Sequence, residues 1–307
     1  MTSPTPHHPA GMNLEEGLIG VAGAGRMAQA LGRLLRERGE PVVAVASRTL
    51  DHARAAAAFI GGAEAVPYSA LPGRVTRVLI AVSDDALPLV AATLAESGMS
   101  GGAALHTCGA RGPEALAALE ASRVSCATLH PLQTVASPEQ GLAALPGCAF
   151  GITGEGPAAA WAERIAALLG GRALRISAGK RPLYHAAAVM ASNYVVALID
   201  AAAMLMGAAG IGEDEALAAL APLVGASGAN ALSLGPVRAL TGPVERGDVE
   251  TISMHLDAMA ASVSPTVRGL YRAAGLHALE IARRRGLSEA NARKLEDLLL
   301  RSGDDDV

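Results

Sequence analysis

The fold is decided by residues 17–49, which read GLIGVAGAGRMAQALGRLLRERGEPVVAVASRT. An apolar run typical of a β-strand precedes GAGRMA, a helical pattern follows to about Arg38, and PVVAVAS is a second apolar run. Gly23 permits a tight turn, Gly25 lets the backbone approach a pyrophosphate, and Ala28 permits close packing of helix on strand. A G-x-G-x-x-A motif alone is weak. Between two strands, in a unit of about 30 residues, it predicts a dinucleotide-binding βαβ unit.

The end of the second strand indicates which dinucleotide is bound. NAD sites usually carry an acid there, which holds the ribose 2′-hydroxyl. This sequence has Ser47, Arg48 and Thr49 instead. Because a guanidinium and two hydroxyls suit a 2′-phosphate, the sequence predicts NADP(H) as the cofactor. Asp51 lies just beyond and is interpreted as an acid in the first turn of the next helix.

Three further strand patterns end in polar residues: RVLIAVSDDAL (77–87), AALHTCGA (103–110) and VSCATLHPLQT (124–134). In open α/β sheets, ligands bind beyond the carboxyl ends of the strands, so these ends together predict a site. Asp84 and Asp85 could instead cap a helix. His106 could be a core histidine, and His130 could be a turn residue before proline. CAFGITG and RALRIS are two more short strand patterns, and we expect them to extend the sheet.

Helical patterns replace strand patterns from Gly179 onward. The stretch YHAAAVMASNYVVALID (184–200) predicts a helix over 184–206 that is apolar on most sides. Its polar residues fall on one arc of roughly 100°; they are His185, Ser192, Asn193 and Asp200. An unpartnered buried polar group costs roughly 1–3 kcal/mol, so this stripe faces either a cavity or a partner helix. Further helices are predicted near 213–224, 249–262, 264–284 and 287–301.

A distinctive loop lies between these helices, in ALTGPVERGDVETISMHL (239–256). Asp248 suits the N-cap of the helix that follows. The loop is either a capped turn or a device that brings Arg246 or His255 to a cavity, where an anionic substrate would favour Arg246.

The whole pattern predicts an α/β protein in two domains. Residues 1–13 are expected to be a disordered tail, residues 14–178 an N-terminal Rossmann domain that binds NADP, and residues 179–307 an all-helical substrate and dimerisation domain.

Composition narrows the class of protein. The net charge of −4 gives no general attraction to nucleic acid or to a membrane surface. Cys108, Cys126 and Cys148 form no CxxC pattern, so we expect reduced thiols rather than a disulfide or zinc framework. No signal-peptide pattern is present, and Asn193 and Asp200 argue against a membrane span in the alanine-rich helix. We expect a cytoplasmic homodimer with a small-molecule substrate and no metal.

Motifs along nearly the whole chain resemble a known family. GAGRMAQAL and LIAVSDDAL resemble the N-terminal halves of pyrroline-5-carboxylate reductases, ketopantoate reductases and 6-phosphogluconate-dehydrogenase-like enzymes. LHTCGA, HPLQT, LYHAAAVMASNY and LTGPVERGD, in this order, resemble the Rossmann-like proteins whose helical C-terminal half is a domain of unknown function. The resemblance covers about residues 17–300. It implies an NADP-dependent oxidoreductase with a helical dimerising domain, and it makes ketopantoate a conceivable substrate.

The long helix departs from the better-known relatives. Classical ketopantoate reductases and hydroxyacid dehydrogenases carry Lys-x-x-x-Asn there; Asn193 matches the asparagine, but Val189 stands in place of the lysine. Lys180 precedes the helix and could substitute only if the chain folded it back. Histidine exchanges protons readily near neutral pH, so His185 is the preferred proton donor.

The sequence therefore predicts an enzyme that passes hydride from NADPH to the C=O or C=N carbon of a small, carboxylate-bearing substrate such as a 2-keto acid. The alternatives are imine reduction of the pyrroline-5-carboxylate kind and a non-catalytic NADP(H)-sensing protein, which the missing lysine favours. The catalytic candidates are His185, Asn193 and His130. The substrate-binding candidates are Ser192, Gln133, Thr241, Arg246 and His255. The cofactor-binding candidates are Gly23, Gly25, Arg26, Met27, Ser47, Arg48, Thr49, Val82, Ser83, Asp84, His106 and Thr107.

Overall fold

The computed structural model describes residues 17–301, and the tail expected at residues 1–13 lies outside this range. The chain forms two compact units, which divide between Val189 and Met190. The domain boundary at residues 178/179 stays a prediction.

The first unit is built on a parallel sheet of six strands: β1 Ile19–Ala22, β2 Val42–Ala46, β3 Glu64–Val66, β4 Arg77–Ile80, β5 Ala103–His106 and β6 Ser125–Thr128. Their order in the sheet is β3-β2-β1-β4-β5-β6. This is the strand order of a Rossmann fold, in which the chain adds β2 and β3 on one side of β1 and then β4, β5 and β6 on the other side. The α/β fold class predicted from the sequence is confirmed.

Seven helices belong to this unit: α1 Arg26–Glu37, α2 Leu50–Ile60, α3 Leu87–Glu96, α4 Ala117–Ala121, α5 Pro138–Ala144, α6 Gly156–Leu168 and α7 Arg181–Ala191. Successive residues of a strand face opposite sides of the sheet, so two cores form. Val21 and Leu79 belong to one core, and their neighbours Ala22 and Ile80 belong to the other. The polar residues that follow the strands lie at the carboxyl-terminal edge of the sheet, beyond these two apolar cores.

A second sheet contains β7 His130–Pro131, β8 Ala149–Ile152 and β9 Arg172–Arg175. The expectation that the two late strands extend the first sheet is wrong, because β8 pairs antiparallel with β7 and parallel with β9. The two sheets remain tied together. The Thr128 backbone N–H donates to the Thr153 carbonyl at 2.9 Å, and the Thr153 N–H donates to the Thr128 hydroxyl at 2.8 Å.

The second unit is helical throughout its described part: α8 Asn193–Ala208, α9 Glu213–Leu234, α10 Pro236–Ala239, α11 Pro243–Arg246, α12 Val249–Ser262, α13 Pro265–Arg285 and α14 Glu289–Leu300. Its core consists of residues from α12, α13 and α14, among them Leu256, Leu279 and Leu295. As predicted, Asp248 caps α12, accepting from the Thr251 backbone N–H at 3.0 Å.

Two helix predictions need correction. The helix expected over 184–206 is interrupted at Ser192, whose φ of −126° and ψ of −77° are not helical. Serine and asparagine compete for backbone hydrogen bonds, which explains why the interruption falls where Ser192 and Asn193 adjoin. The helix expected to end near 224 continues to Leu234 and contains Pro222.

The two helices α8 and α9 are strongly apolar and largely exposed. Each has one buried residue, Ala201 and Ala216 respectively. The segments Ala178–Ala208 and Glu213–Leu234 are long and apolar enough to cross a membrane by length and composition. Large apolar side chains exposed on α8 and α9 are Tyr194, Val195, Val196, Leu198, Met204, Leu217, Leu223, Leu232 and Leu234.

Candidate active site

A cleft of about 820 Å³ opens at the carboxyl ends of β1, β2 and β4. This volume lies within the range of pockets that hold small ligands and cofactors. Nine of the predicted cofactor-binding residues line it: Gly23, Gly25, Arg26, Met27, Ser47, Arg48, Val82, Ser83 and Thr107. Sequence reasoning missed other residues of the cleft wall, including His52, Tyr68, Leu89, Thr93 and Val135.

The glycine-rich turn shapes the floor of the cleft. Gly23 has a φ of +132°, and a Cβ atom added there would lie 2.2 Å from the Ala81 carbonyl oxygen, so no other residue fits. Gly25 is the N-cap of α1, and a Cβ atom there would meet nothing within 4 Å. The open space faces backbone N–H groups at the positive end of the helix dipole, an arrangement that suits a pyrophosphate.

One end of the cleft is suited to a 2′-phosphate. Ser47, Arg48 and His52 line it together with Tyr68. Burial raises the pKa of Tyr68 and the nearby positive charge of Arg48 opposes this shift, so the guanidinium lies close to the phenol. Thr49 does not line the cleft; its hydroxyl caps α2 by accepting from the His52 N–H at 3.4 Å. The position of His52 in the first turn of α2, just after Arg48, is the feature of the sequence that indicates its place in the cleft wall.

Two predicted cofactor contacts lie elsewhere. His106 is fully buried; its Nε2 bonds the Gly112 carbonyl at 2.9 Å, and its Nδ1 accepts from the Cys108 N–H at 3.2 Å. Burial lowers the pKa of His106 to about 4. A contact of His106 with the cofactor stays a prediction; in this structure its ring holds the loop after β5 in shape. Asp84 is exposed and does not line the cleft.

That loop carries Gly109, around which two imidazoles converge. A Cβ atom at Gly109 would lie 2.7 Å from Nε2 of His130 and 3.0 Å from Nε2 of His185. The two rings are 6.1 Å apart, centroid to centroid, at 71°. Any side chain at this position would displace both rings, so the glycine allows two proton-bearing groups to share one small space. Gly109 follows the cleft residue Thr107 by two positions.

A buried cation lies beneath this cluster. Arg181, which is 1% exposed, donates to the Thr128 hydroxyl at 2.9 Å, to the Thr153 hydroxyl at 3.1 Å and to the Cys108 carbonyl at 2.6 Å. All of these partners are uncharged, so within residues 17–301 its charge has no hydrogen-bonded counterion. Its Nε atom is buried without a partner. This position of Arg181 could not be predicted from the sequence, because an arginine at the start of a helix is ordinarily exposed.

Tyr184 connects the cation to the imidazoles. Its hydroxyl lies 2.9 Å from Nδ1 of His130, and the Arg181 guanidinium lies 5.9 Å from the centre of its ring. Burial, the positive charge of Arg181 and then the neighbouring His185 lower the pKa of His130 to about 4. His130 is therefore a neutral imidazole at physiological pH. The turn-residue interpretation does not describe it, because it begins β7 and faces Tyr184 and His185.

The remaining candidates stay predictions. Gln133 is exposed, and its side chain bonds the Ala144 carbonyl at 3.3 Å and the Thr134 N–H at 2.8 Å. In the helical unit, Thr241 and Asn193 are exposed. Arg246 lies 4.0 Å from Asp248, and Nδ1 of His255 lies 2.8 Å from the Tyr271 hydroxyl.

Two further features concern catalysis by a lysine and by a metal ion. Lys180, the possible substitute for the missing helix lysine, is exposed in a short 3₁₀ turn just before α7. Between residues 17 and 301, no group of three His, Cys, Asp or Glu side chains is arranged to hold a metal ion.

The family models agree with this architecture. Residues 2–131 match the Rossmann-like domain, and residues 148–278 match a domain of unknown function, DUF2520. The chain combines a Rossmann-like domain with a DUF2520 domain. The resemblance predicted from the motifs is confirmed.

Solved structures share the fold over most of the chain. Protein TM1727 from Thermotoga maritima is 23% identical, with a TM-score of 0.68 over 87% of this chain and 99% of that one. The candidate NADP oxidoreductase BF3122 from Bacteroides fragilis is 22% identical, with a TM-score of 0.66 over 89% and 99%. The 1-pyrroline-5-carboxylate reductase from Streptococcus pyogenes is 18% identical, with a TM-score of 0.57 over 92% and 96%. A search of curated protein sequences found no match.

Proposed function

We propose that this protein is an NADPH-dependent oxidoreductase that reduces the C=O or C=N carbon of a small, carboxylate-bearing substrate. The observation that carries the proposal is the continuity between the cleft and the imidazole cluster. Thr107 lines the cleft, and two residues later Gly109 lies against His130 and His185. The similar Bacteroides fragilis and Streptococcus pyogenes proteins, a candidate NADP oxidoreductase and a pyrroline-5-carboxylate reductase, support the same class of reaction.

The residues of the cleft divide the binding of NADPH between them. Gly23 and Gly25 would face the pyrophosphate, and Ser47, Arg48 and His52 would hold the 2′-phosphate. When bound, NADPH supplies the hydride, and the protein supplies position and a proton.

The imidazole cluster is suited to the other half of the reaction. Reduction of a C=O or C=N group places negative charge on its oxygen or nitrogen, which needs a hydrogen-bond donor and then a proton. His130 and His185 converge on one small space, so they can provide the hydrogen-bond donor and the proton. Asn193, Ser192 and the loop residues Thr241, Arg246 and His255 remain proposed substrate contacts from the helical unit.

The cofactor assignment is tested by calorimetric titration of the protein with NADPH and with NADH. We expect NADPH to bind more tightly. Arg48→Ala should weaken NADPH by about 1–3 kcal/mol, the range for a hydrogen bond to a charged group, and leave NADH little changed. Arg54→Ala is the matched control, because Arg54 lies on α2, pairs with exposed Asp51 at 2.9 Å and does not line the cleft. Tighter binding of NADH would overturn the assignment.

Imine reduction and a non-catalytic sensor are the competing functions. The fold shared with pyrroline-5-carboxylate reductase supports the first, and Val189 in place of a helix lysine supports the second. These two functions are distinguished by measuring NADPH oxidation with a panel of 2-keto acids, including ketopantoate, and cyclic imines. Turnover of imines alone favours the first; tight NADPH binding with no turnover on the panel favours the second.

We also propose that the protein is a cytoplasmic homodimer joined through α8 and α9. The exposed apolar side chains of these two helices form more apolar surface than a monomer in water usually exposes. Asn193 and Asp200 on α8 favour a protein interface over a lipid one. Light scattering in detergent-free buffer tests this. A monomer at micromolar concentration, or a protein that needs detergent, would contradict it.

A further inference from the structure

The hydrogen bond between His130 and Tyr184 has a direction that the surrounding groups decide. His130 pairs with Gly151 across the antiparallel β7–β8 ladder, and Tyr184 approaches from α7 with its ring at 88° to the imidazole. Burial raises the pKa of this phenol, and the positive charge of Arg181 opposes the shift. The phenol therefore keeps its proton at neutral pH.

The phenol proton has one acceptor within residues 17–301, which is Nδ1 of His130 at 2.9 Å. A buried hydroxyl that left its proton unpaired would lose a hydrogen bond. Donation of this proton to His130 requires an unprotonated Nδ1. A neutral imidazole carries one proton, so the remaining proton of His130 resides on Nε2.

The charged and titratable groups around His130 keep it neutral. On α7 these are Arg181, His185 and Tyr184; Asp84 follows β4, and His106 ends β5. Burial is the largest influence and the Arg181 charge the next, and the opposing effect of Asp84 is smaller. The Arg181 charge has only uncharged hydrogen-bond partners, so no bonded carboxylate offsets it.

The protonated Nε2 atom is the one that faces Gly109 and His185. We propose that Tyr184 is a positioning residue, whose hydroxyl holds His130 as the Nε2–H tautomer so that this N–H is a fixed hydrogen-bond donor beside Gly109. Resting on the proposed function, the acceptor is the oxygen or nitrogen of the group being reduced. His185 then supplies the proton, since His130 has its single proton committed to the hydrogen bond. A preoriented neutral donor stabilises developing negative charge without being consumed.

Two-bond ¹H–¹⁵N spectra of the protein labelled with ¹⁵N-histidine test the tautomer directly at pH 7. The His130 signals are assigned by their loss in His130→Gln. We expect a protonated Nε2 and an unprotonated Nδ1 in the wild-type protein, and a mixture of tautomers in Tyr184→Phe. The matched control is Tyr271→Phe, which removes the hydroxyl from the other His–Tyr pair and should leave the His130 signals unchanged.

A protonated Nδ1 in the wild-type protein would overturn the proposal, and so would a Tyr184→Phe spectrum identical to the wild type. If a panel substrate is reduced, Tyr184→Phe should lower kcat about tenfold and leave NADPH binding within about twofold. An unchanged kcat would also overturn it. A silent panel combined with the expected tautomer would count against the reductase and not against the role of Tyr184, so the two failures are distinguishable.

Discussion

Residues 17–301 contain two histidine–tyrosine pairs of nearly the same geometry, one in each unit. In the first unit, Nδ1 of His130 is 2.9 Å from the Tyr184 hydroxyl, with ring centroids 5.6 Å apart at 88°. In the helical unit, Nδ1 of His255 is 2.8 Å from the Tyr271 hydroxyl, with centroids 6.0 Å apart at 83°. The hydrogen bond is the same in both pairs, so any difference in behaviour comes from their surroundings.

The surroundings differ in burial and charge. His130 is shielded, lies near the buried guanidinium of Arg181 and shares its space with His185. His255 is exposed, so water can replace its tyrosine partner. The first pair is therefore shielded and lies beside a buried charge, whereas the second is a contact between α12 and α13 that water reaches.

The largest effect is expected at the second imidazole of the buried cluster. His185→Ala should lower kcat on an active panel substrate by roughly 10²–10⁴-fold, the usual value of a general acid, and leave NADPH affinity little changed. His255→Ala should lower kcat by less than about tenfold, and exposed His277→Ala on α13 serves as the control. Steady-state kinetics with melting curves and light scattering provide the measurements.

The opposite pattern would break the comparison. If His185→Ala lowers the melting temperature or dissociates the dimer without affecting kcat, the polar stripe is a helix–helix seam. If His255→Ala has the larger kinetic effect, the loop around Asp248 brings the second pair to the substrate.

The comparison also shows what could be predicted from sequence. The glycine turn, the Ser47–Arg48 corner and the parallel α/β class follow from local periodicity and from turn chemistry, both of which are properties of neighbouring residues. The convergence of His130 and His185 on Gly109 joins three distant segments. From sequence the two histidines could be proposed as candidates, but their proximity could not be predicted. The proposed tautomer of His130 depends on Tyr184, and no spacing rule connects these two residues.

The errors have equally local causes. The late strands were assigned to the wrong sheet, because strand patterns carry no information about partners. The break at Ser192 was missed because the apolar periodicity runs through it.

A second, smaller effect concerns acid stability. The pKa values of His130 and His106 are about 4 in the folded protein and 6.5 in an unfolded chain. Between these values the unfolded chain binds protons that the folded protein excludes, so the free energy of unfolding falls as the pH falls from 6.5 to 4. Each histidine should account for up to roughly 3 kcal/mol at pH 4.

Urea denaturation at a series of pH values measures this loss. His130→Gln should remove its share of the loss, and the same substitution at His255 controls for exchanging an imidazole for an amide. A His130→Gln curve parallel to that of the wild type between pH 6.5 and 4 would mean that the buried site admits the proton, contrary to the neutral donor.

The smallest effect separates the two tyrosines at pH 7, where neither substitution changes a charge. Tyr184→Phe leaves Nδ1 of His130 without its partner in a shielded place, so the free energy of unfolding should fall by about 1–3 kcal/mol. Tyr271→Phe should cost about 0.5 kcal/mol or less, because water reaches exposed His255. Urea midpoints with unchanged m-values would report the difference. Equal losses would mean that burial does not distinguish the pairs, and the case for a specialised His130 would then rest on its neighbours Arg181 and His185 alone.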